Sequence, residues 1–387
     1  MERRFAVVAL VVVLLVGVLL VSMPRFSGGG WTIAGNVSGT GVIKLGVAYP
    51  LTGSAASWGE AALDGALVAV DELNDNGGVN GRRLELVVED TKCEPLQGVS
   101  AVRKLVGGDG VKYLIGDICS SVVVPAGGVA EQSRVLMMAQ GSSPEITSLG
   151  DFVFRNWPSD AKQGEMIAAY AFSKIGLRRL AIINVNNPYG KGLAGVVEKA
   201  FKQAGGKVVL HEEFNSPNSD FRSVLAKAKA ANPDALYVVS EVEDAFIARQ
   251  ARELGIGAQI LGADTISTQT NLDNAQGALE GAVFSRPFFD ENSSAALKFA
   301  AGFNTRFGKP PGLFFVSAHG YDAVKIVAGA LDGLAYEDVD GVKARLYATR
   351  NYPGASGSTS FDSNGDVVKP YGIYAIRDGR EALLQVG

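Results

Sequence analysis

The feature that most constrains this chain is an alternation of short apolar runs with helix-spaced stretches that runs its course, breaks, and begins again. Apolar runs at residues 42–48, 83–89, 113–116 and 135–138 are separated by stretches with helical spacing at 59–75, 97–106 and 122–131. In the first helical stretch Ala62, Ala66, Ala69, Val70 and Leu73 fall on one side. The order βαβαβαβ implies a parallel sheet covered by helices. The turn-rich tract Asn74-Asp75-Asn76-Gly77-Gly78-Val79-Asn80-Gly81 ends that first helix. The alternation restarts with strands expected at 180–185, 208–214, 235–239 and 259–261, and helices at 192–203, 220–231 and 245–254. Between the two runs, Trp157 before Pro158 forces an extended segment. The pattern therefore predicts an α/β fold of two doubly wound parallel-sheet lobes. Beyond Pro287, helices are expected at 295–307 and 318–333, then a hairpin whose arms, 361–362 and 371–376, flank the Asn364-Gly365 turn.

Composition narrows the function. The 387 residues allow two or three domains, and a net charge of −4 with mixed signs lacks the basic stripe of a nucleic-acid binder. His211 and His319 are the two histidines, and Cys93 and Cys119 lie too far apart for a C-x-x-C motif. No metal cluster, nucleophile elbow or resident cofactor is expected.

The first 25 residues stand apart. Arg3 and Arg4 precede an uncharged run from Phe5 to Met23, followed by Pro24 and Arg25. At about 1.5 Å per residue the run is nearly long enough to cross a bilayer core, and its basic flank directs the rest of the chain out of the cytoplasm. Both a cleaved signal peptide, with Thr32-Ile33-Ala34 as a weak cleavage site, and a retained membrane anchor fit. A lipid-modified cysteine is excluded, because no cysteine lies near the end of the run. Residues 26–40, rich in Gly, Ser and Thr, read as a flexible linker. The expected location is extracytoplasmic, in the periplasm or on the outer face of the membrane.

In open α/β sheets ligands sit beyond the carboxyl ends of the strands. There the first half offers Trp58, Ser120, Gln140 and Ser142; the second offers Asn186, Asn187, Tyr189, Ser240, Glu241 and Asp264. Hydroxyls with helix-start N–H groups suit a carboxylate, and an opposing carboxylate suits an ammonium. Together they describe a receptor for a zwitterion. Taken singly, Ser120 and Ser142 read first as helix caps, Asp264 as a common cap and Trp58 as core; the site reading comes from their falling on one rim of two facing sheets.

Several stretches carry a resemblance. These are Gly53-Ser54 with Trp58-Gly59, residues 76–81, Asp90-Thr91-Lys92-Cys93-Glu94-Pro95, and Tyr113-Leu114-Ile115-Gly116 with Cys119-Ser120-Ser121. Further ones are Ser143-Pro144-Glu145-Ile146-Thr147, Tyr189-Gly190-Lys191-Gly192, and Asn232-Pro233-Asp234 with Ala248-Arg249-Gln250-Ala251. In order and spacing the chain from about residue 43 to its end resembles the periplasmic leucine/isoleucine/valine-binding proteins of ABC importers, which have the type I periplasmic binding fold. The resemblance implies a non-enzymatic solute-binding protein that holds an amino acid between two lobes and delivers it to an ABC-type membrane permease. By position, Ser120 and Ser142 would hold the ligand carboxylate, while the Gln140 carbonyl and Asp264 would take its ammonium. Trp58, Tyr189 and Phe315 would wall the side-chain pocket, and Cys93 and Cys119 would form a disulfide. Two departures from the family pattern stand out: Asp264 replaces a frequent Glu, and polar Ser240-Glu241 replaces a frequent aromatic.

The implied lobes are residues 41–156 with 287–356, and 157–286 with 357–387. Their crossings fall near 155–158, 285–287 and 357–360. Ligand would settle first on lobe one, with Tyr189 and Asp264 closing over it by a hinge motion. Two rival readings remain: a membrane-tethered sensor with the same pocket, and an exported dinucleotide-dependent enzyme. The second rests on Gly190-x-Gly192-x-x-Gly195, with Glu212 and Glu213 about 20 residues on. The four residues Asn186 to Tyr189 keep its first glycine away from the tight turn a pyrophosphate needs. Asp362-x-Asn364-x-Asp366 imitates the start of a calcium loop, but Ile373 stands where the closing Glu belongs.

Overall fold

The computed structural model describes residues 41–387; the leader or anchor expected at 1–25 and the linker at 26–40 lie outside the described residues. The first lobe is built from β1 (Val42–Tyr49), α1 (Ala56–Asp75), β2 (Arg83–Asp90), α2 (Pro95–Arg103), β3 (Tyr113–Gly116), α3 (Ser120–Gln132), β4 (Leu136–Ala139) and β5 (Val153–Arg155). Its sheet runs β2-β1-β3-β4-β5, with every neighbouring pair parallel. Both faces are covered, so the central strands β3 and β4 are apolar along their length rather than alternating and are buried at every position.

The second lobe follows with α4 (Asp160–Tyr170), β6 (Arg179–Val185), α5 (Pro188–Gln203), β7 (Lys207–Phe214) and α6 (Arg222–Ala231). It continues with β8 (Ala235–Val239), α7 (Asp244–Glu253), β9 (Gln259–Gly262), α8 (Gln269–Ala275) and β10 (Val283–Pro287). Its sheet repeats the first order as β7-β6-β8-β9-β10 and adds an antiparallel hairpin at the edge, β13 (Tyr371–Arg377) and β14 (Arg380–Val386). Both lobes thus reverse strand order at the same place, between β1 and β3 and between β6 and β8. A crevice opens there beyond the strand ends.

Between β10 and β13 the chain returns to the first lobe as α9 (Ser294–Phe307), α10 (Phe314–Leu331), α11 (Val339–Ala348) and a small hairpin, β11 (Tyr352–Gly354) and β12 (Gly357–Thr359). Helix α10 lies closely on α1. A Cβ at Gly65 would strike the Ser317 carbonyl, and one at Gly320 would strike the Ala62 carbonyl, so both contacts require glycine. Fifteen of its eighteen residues are buried.

Three details differ from expectation. The third crossing falls later than 357–360: Phe361 and Val367 pack in the first lobe's core, and the chain reaches the second sheet at Tyr371. Residues 357–368 are therefore part of lobe one. Asn364-Gly365 does turn the chain, but only within a tight loop closed by the Phe361–Val367 bridge. The real hairpin partner of 371–377 is 380–386, joined at Asp378-Gly379. Residues 283–287 form strand β10 and the crossing begins after it.

Candidate ligand-binding site

Where the strand ends of the two lobes face each other lies a cavity of about 70 Å³. Trp58, Ser120, Gln140 and Ser142 border it from lobe one; Tyr189, Glu241, Asp264 and Thr265 border it from lobe two. Trp157, on the first crossing, closes one side. Of the residues expected to form a site, Phe315 does not reach the lining. It stands behind Trp58, edge-on at 5.5 Å between ring centroids, and beside Trp157 at 5.8 Å. Such contacts contribute roughly 0.5–1.5 kcal/mol and hold Trp58 in place.

The lobe-one rim is cross-braced. Cys93 and Cys119 form a disulfide, which joins the loop after β2 to the loop after β3. Buried Asp117 ties the same loops, accepting from the Cys119 N–H at 2.6 Å and from the Thr91 hydroxyl. Burial raises its carboxyl pKa to about 7. Tyr49 donates to Oε1 of Gln140 at 2.6 Å. Ser120 does not cap its helix, since Cys119 occupies the N-cap position. Its Oγ instead accepts from the N–H groups of Ser142 and Ser143 at 3.1 and 3.0 Å, locking the loop after β4 onto α3.

Arg155 completes the frame, a role the sequence did not suggest. Fully buried, its guanidinium donates to the carbonyls of Ser142 and Ser143 and pairs with Asp366 at 2.6 Å. This is where the calcium-like motif is used. Asp366 holds Arg155, and Asp362 accepts N–H bonds from Asn364 and Asp366 within its own turn.

The lobe-two rim is sparsely satisfied. Asp264 does not cap a helix either; its carboxylate accepts from the Tyr189 hydroxyl at 3.4 Å and from the N–H groups of Asp264 and Thr265. Burial raises its pKa to about 6 despite those bonds and the charge of Arg286. Glu241 accepts from Nδ2 of Asn187 at 2.8 Å, and burial together with the charge of Glu243 raises it to about 7. Asp160, at the start of α4, also escaped sequence reasoning because it reads as a first-turn acid. It accepts from the Ser142 hydroxyl at 2.9 Å, its other oxygen has no partner, and burial plus the charge of Asp264 pushes its pKa well up. The Ser142 hydroxyl is thus turned to Asp160, while the first N–H groups of α3 have no carbonyl ahead of them to bond. The arrangement can hold an acceptor at the start of α3 and a cationic nitrogen at Asp264.

The remaining motifs are absorbed by packing. A Cβ at Gly190 would meet the Val185 carbonyl, and one at Gly192 would come within 2.8 Å of Pro144 in lobe one. The glycine fingerprint therefore seats α5 against β6 and against the opposite lobe. His319 is buried beneath Trp157 at 4.5 Å, and burial holds its pKa well below the usual value. Among the described residues no group of acidic, His or Cys side chains is arranged to hold a metal ion.

Comparison with known proteins agrees with this architecture. Residues 42–381 match the family model described as periplasmic binding protein. The chain is 31% identical to the leucine-, isoleucine-, valine-, threonine- and alanine-binding protein of Pseudomonas aeruginosa, over 84% of this chain and 87% of that one. To the Leu/Ile/Val-binding protein of Escherichia coli it is 29% identical, over 84% and 88%. Among solved structures it is similar to a leucine-binding protein of Thermotoga maritima, with a TM-score of 0.82, 28% identity and 89% and 98% of the two chains covered. It is also similar to a branched-chain amino acid transporter substrate-binding protein of Streptococcus pneumoniae in complex with isoleucine, with a TM-score of 0.80, 28% identity and 90% and 99% coverage. With its two lobes of repeated topology and its cavity at the facing strand ends, this chain belongs to the periplasmic binding protein family.

Proposed function

We propose that this protein is an extracytoplasmic solute-binding protein that captures a small amino acid or close analogue in the interlobe cavity and presents it to an ABC-type permease. The observation that carries this reading is the pairing of unlike rims across one cavity: the start of α3 on one lobe and the Asp264 carboxylate on the other. A zwitterion answers both. Its carboxylate accepts from the free N–H groups at the start of α3, where the helix dipole also favours negative charge. Its ammonium donates to Asp264 and to the Gln140 carbonyl. The relatives named for amino-acid binding, at about 30% identity over most of the chain, support the same class of ligand.

Capture requires the second lobe to move. Trp58 and the braced rim form a fixed seat, while Tyr189 and Asp264 arrive from the other lobe as it rotates on the three crossings. Contacts formed only in the closed state stabilise that state. Calorimetric titration with three compounds of one shape tests the clamp: leucine, 4-methylpentanoate, which lacks the ammonium, and isopentylamine, which lacks the carboxylate. An amino-acid clamp binds the first and loses at least about 100-fold with either of the others, because each leaves a buried group unpaired. Equal binding of 4-methylpentanoate would remove Asp264 from the site.

A further inference from the structure

Among the described residues two carboxylates border the cavity, Asp264 and Glu241, and no lysine, arginine or histidine does. A single α-ammonium answers one of them. Asp264 faces Tyr189 and Asp160, whereas Glu241 faces the other way, toward Asn187 and the disulfide, with Oε1 3.9 Å from Sγ of Cys93. Asn187 is the one hydrogen-bond donor to the Glu241 carboxylate among the described residues, and it serves Oε1 alone. An independent sign of a missing occupant lies on lobe one. Gln140 borders the cavity, is 1% exposed, and its Nε2, a donor that an amide oxygen of the ligand would answer, has no partner among the described residues.

We propose that the cavity selects small amino-acid-like ligands carrying a second nitrogen donor beyond the α-ammonium, and that Glu241 reads that nitrogen. This rests on the amino-acid reading above and specifies its ligand class. An aliphatic side chain would cover the half-buried Glu241 without offering a hydrogen bond, leaving its carboxylate desolvated with one donor. Sites built to bond a polar group reject an apolar analogue for this reason. A carboxylate-bearing side chain would bring two like charges together. An amide or amine of short reach satisfies Glu241 and suits a cavity of about 70 Å³ with Trp58, Trp157 and Ile118 in its walls.

The test is calorimetric titration of the full-length protein with leucine, asparagine, aspartate and 2,4-diaminobutyrate. The first three share one branched shape, with two methyl groups, one amide, or one carboxylate at the branch. The expected result is that asparagine or diaminobutyrate binds about tenfold or more tighter than leucine, with aspartate silent. Glu241→Gln should cut the preference for diaminobutyrate, and Glu241→Leu should move the preference to leucine. Where Glu241→Leu fails to fold, Glu241→Gln alone decides. Leucine binding at least as tightly as both nitrogen-bearing ligands, or a ligand order that Glu241→Gln leaves unchanged, overturns the proposal and spares the amino-acid reading. If none of the four binds, both fall.

Discussion

The two rims that face each other across the cavity are built on the same strand order yet differ in how well their polar groups are satisfied. On lobe one the disulfide, Asp117, Tyr49, Ser120 and Arg155 tie the loops after β1 to β4 into one frame. On lobe two, side-chain donors are few: the Tyr189 hydroxyl reaches Asp264 at 3.4 Å, beside backbone N–H groups, and Asn187 reaches Glu241. A frame cross-braced without ligand, with Gln140 Nε2 its unpaired atom among the described residues, supplies a seat whose geometry has already been settled. A rim with underbonded carboxylates holds free energy that only an incoming donor releases, so it suits the lobe that closes last. Identical topology thus serves two roles, and the difference lies in hydrogen bonding rather than fold.

The largest effect that breaks this comparison is removal of the lobe-one brace. The disulfide links residues 26 apart in sequence. Replacing Cys93 and Cys119 by Ala should cost about 3–4 kcal/mol by the loop-entropy relation, read from urea unfolding. Its effect on affinity should be modest, since the polar groups assigned to the ligand are kept and the Cys119 wall loses only its sulfur. A loss of stability below about 1 kcal/mol would mean that hydrogen bonds alone keep the rim rigid.

A smaller effect separates the lobes by pH. Glu241, Asp244 and Asp264 on lobe two have pKa values raised to about 7, 7 and 6, whereas Asp117 is the raised group on the lobe-one rim, at about 7. A folded-state pKa above the unfolded one means that the folded chain holds more protons between about pH 4 and 7. Ligand-free stability should therefore fall as pH rises through that window, by at most about 1.4 kcal/mol per pH unit per group. His319, held well below its usual value by burial, opposes this trend by one group up to about pH 6.5. Asp90 and Glu198, also lowered, act toward the acid end of the window. Asp264 faces Tyr189, Asp160, Asp244 and Arg286, and a bound ammonium reverses its sign by favouring the ionised form. Melting temperatures from pH 5 to 8 should fall steeply without ligand and less steeply with it; a flat ligand-free profile would deny the contrast between the rims.

Much of this was legible in the chain. The doubled alternation gave both sheets, because strands covered on both faces are continuous apolar runs that stand out from the helices between them. Strand ends then located Trp58, Ser120, Gln140, Ser142, Tyr189 and Asp264 at one cavity without any side-chain geometry. What the sequence hides is orientation. Phe315 and Trp157 are both aromatics near the site, and only packing puts Trp157 in the wall and Phe315 behind Trp58. Arg155 and Asp160 carry charges that read as surface, yet each is fully buried: Asp366, far along the chain, meets Arg155, and the Ser142 hydroxyl of the opposite lobe meets Asp160. The hairpin was misplaced because Asn364-Gly365 and Asp378-Gly379 are equally good turn signals, and only the position of β13 in the second sheet decides between them.

The most direct measurement is a side-by-side calorimetric titration of the wild type and Asp264→Asn with the tightest amino-acid ligand found. The substitution keeps the shape and removes the charge. Affinity should fall about 100-fold or more, equivalent to about 3 kcal/mol, while the melting temperature of the ligand-free protein holds or rises because a buried, poorly bonded carboxylate is gone. Unchanged affinity would contradict the account and leave the ammonium, and with it the second lobe's part in capture, without a partner at Asp264.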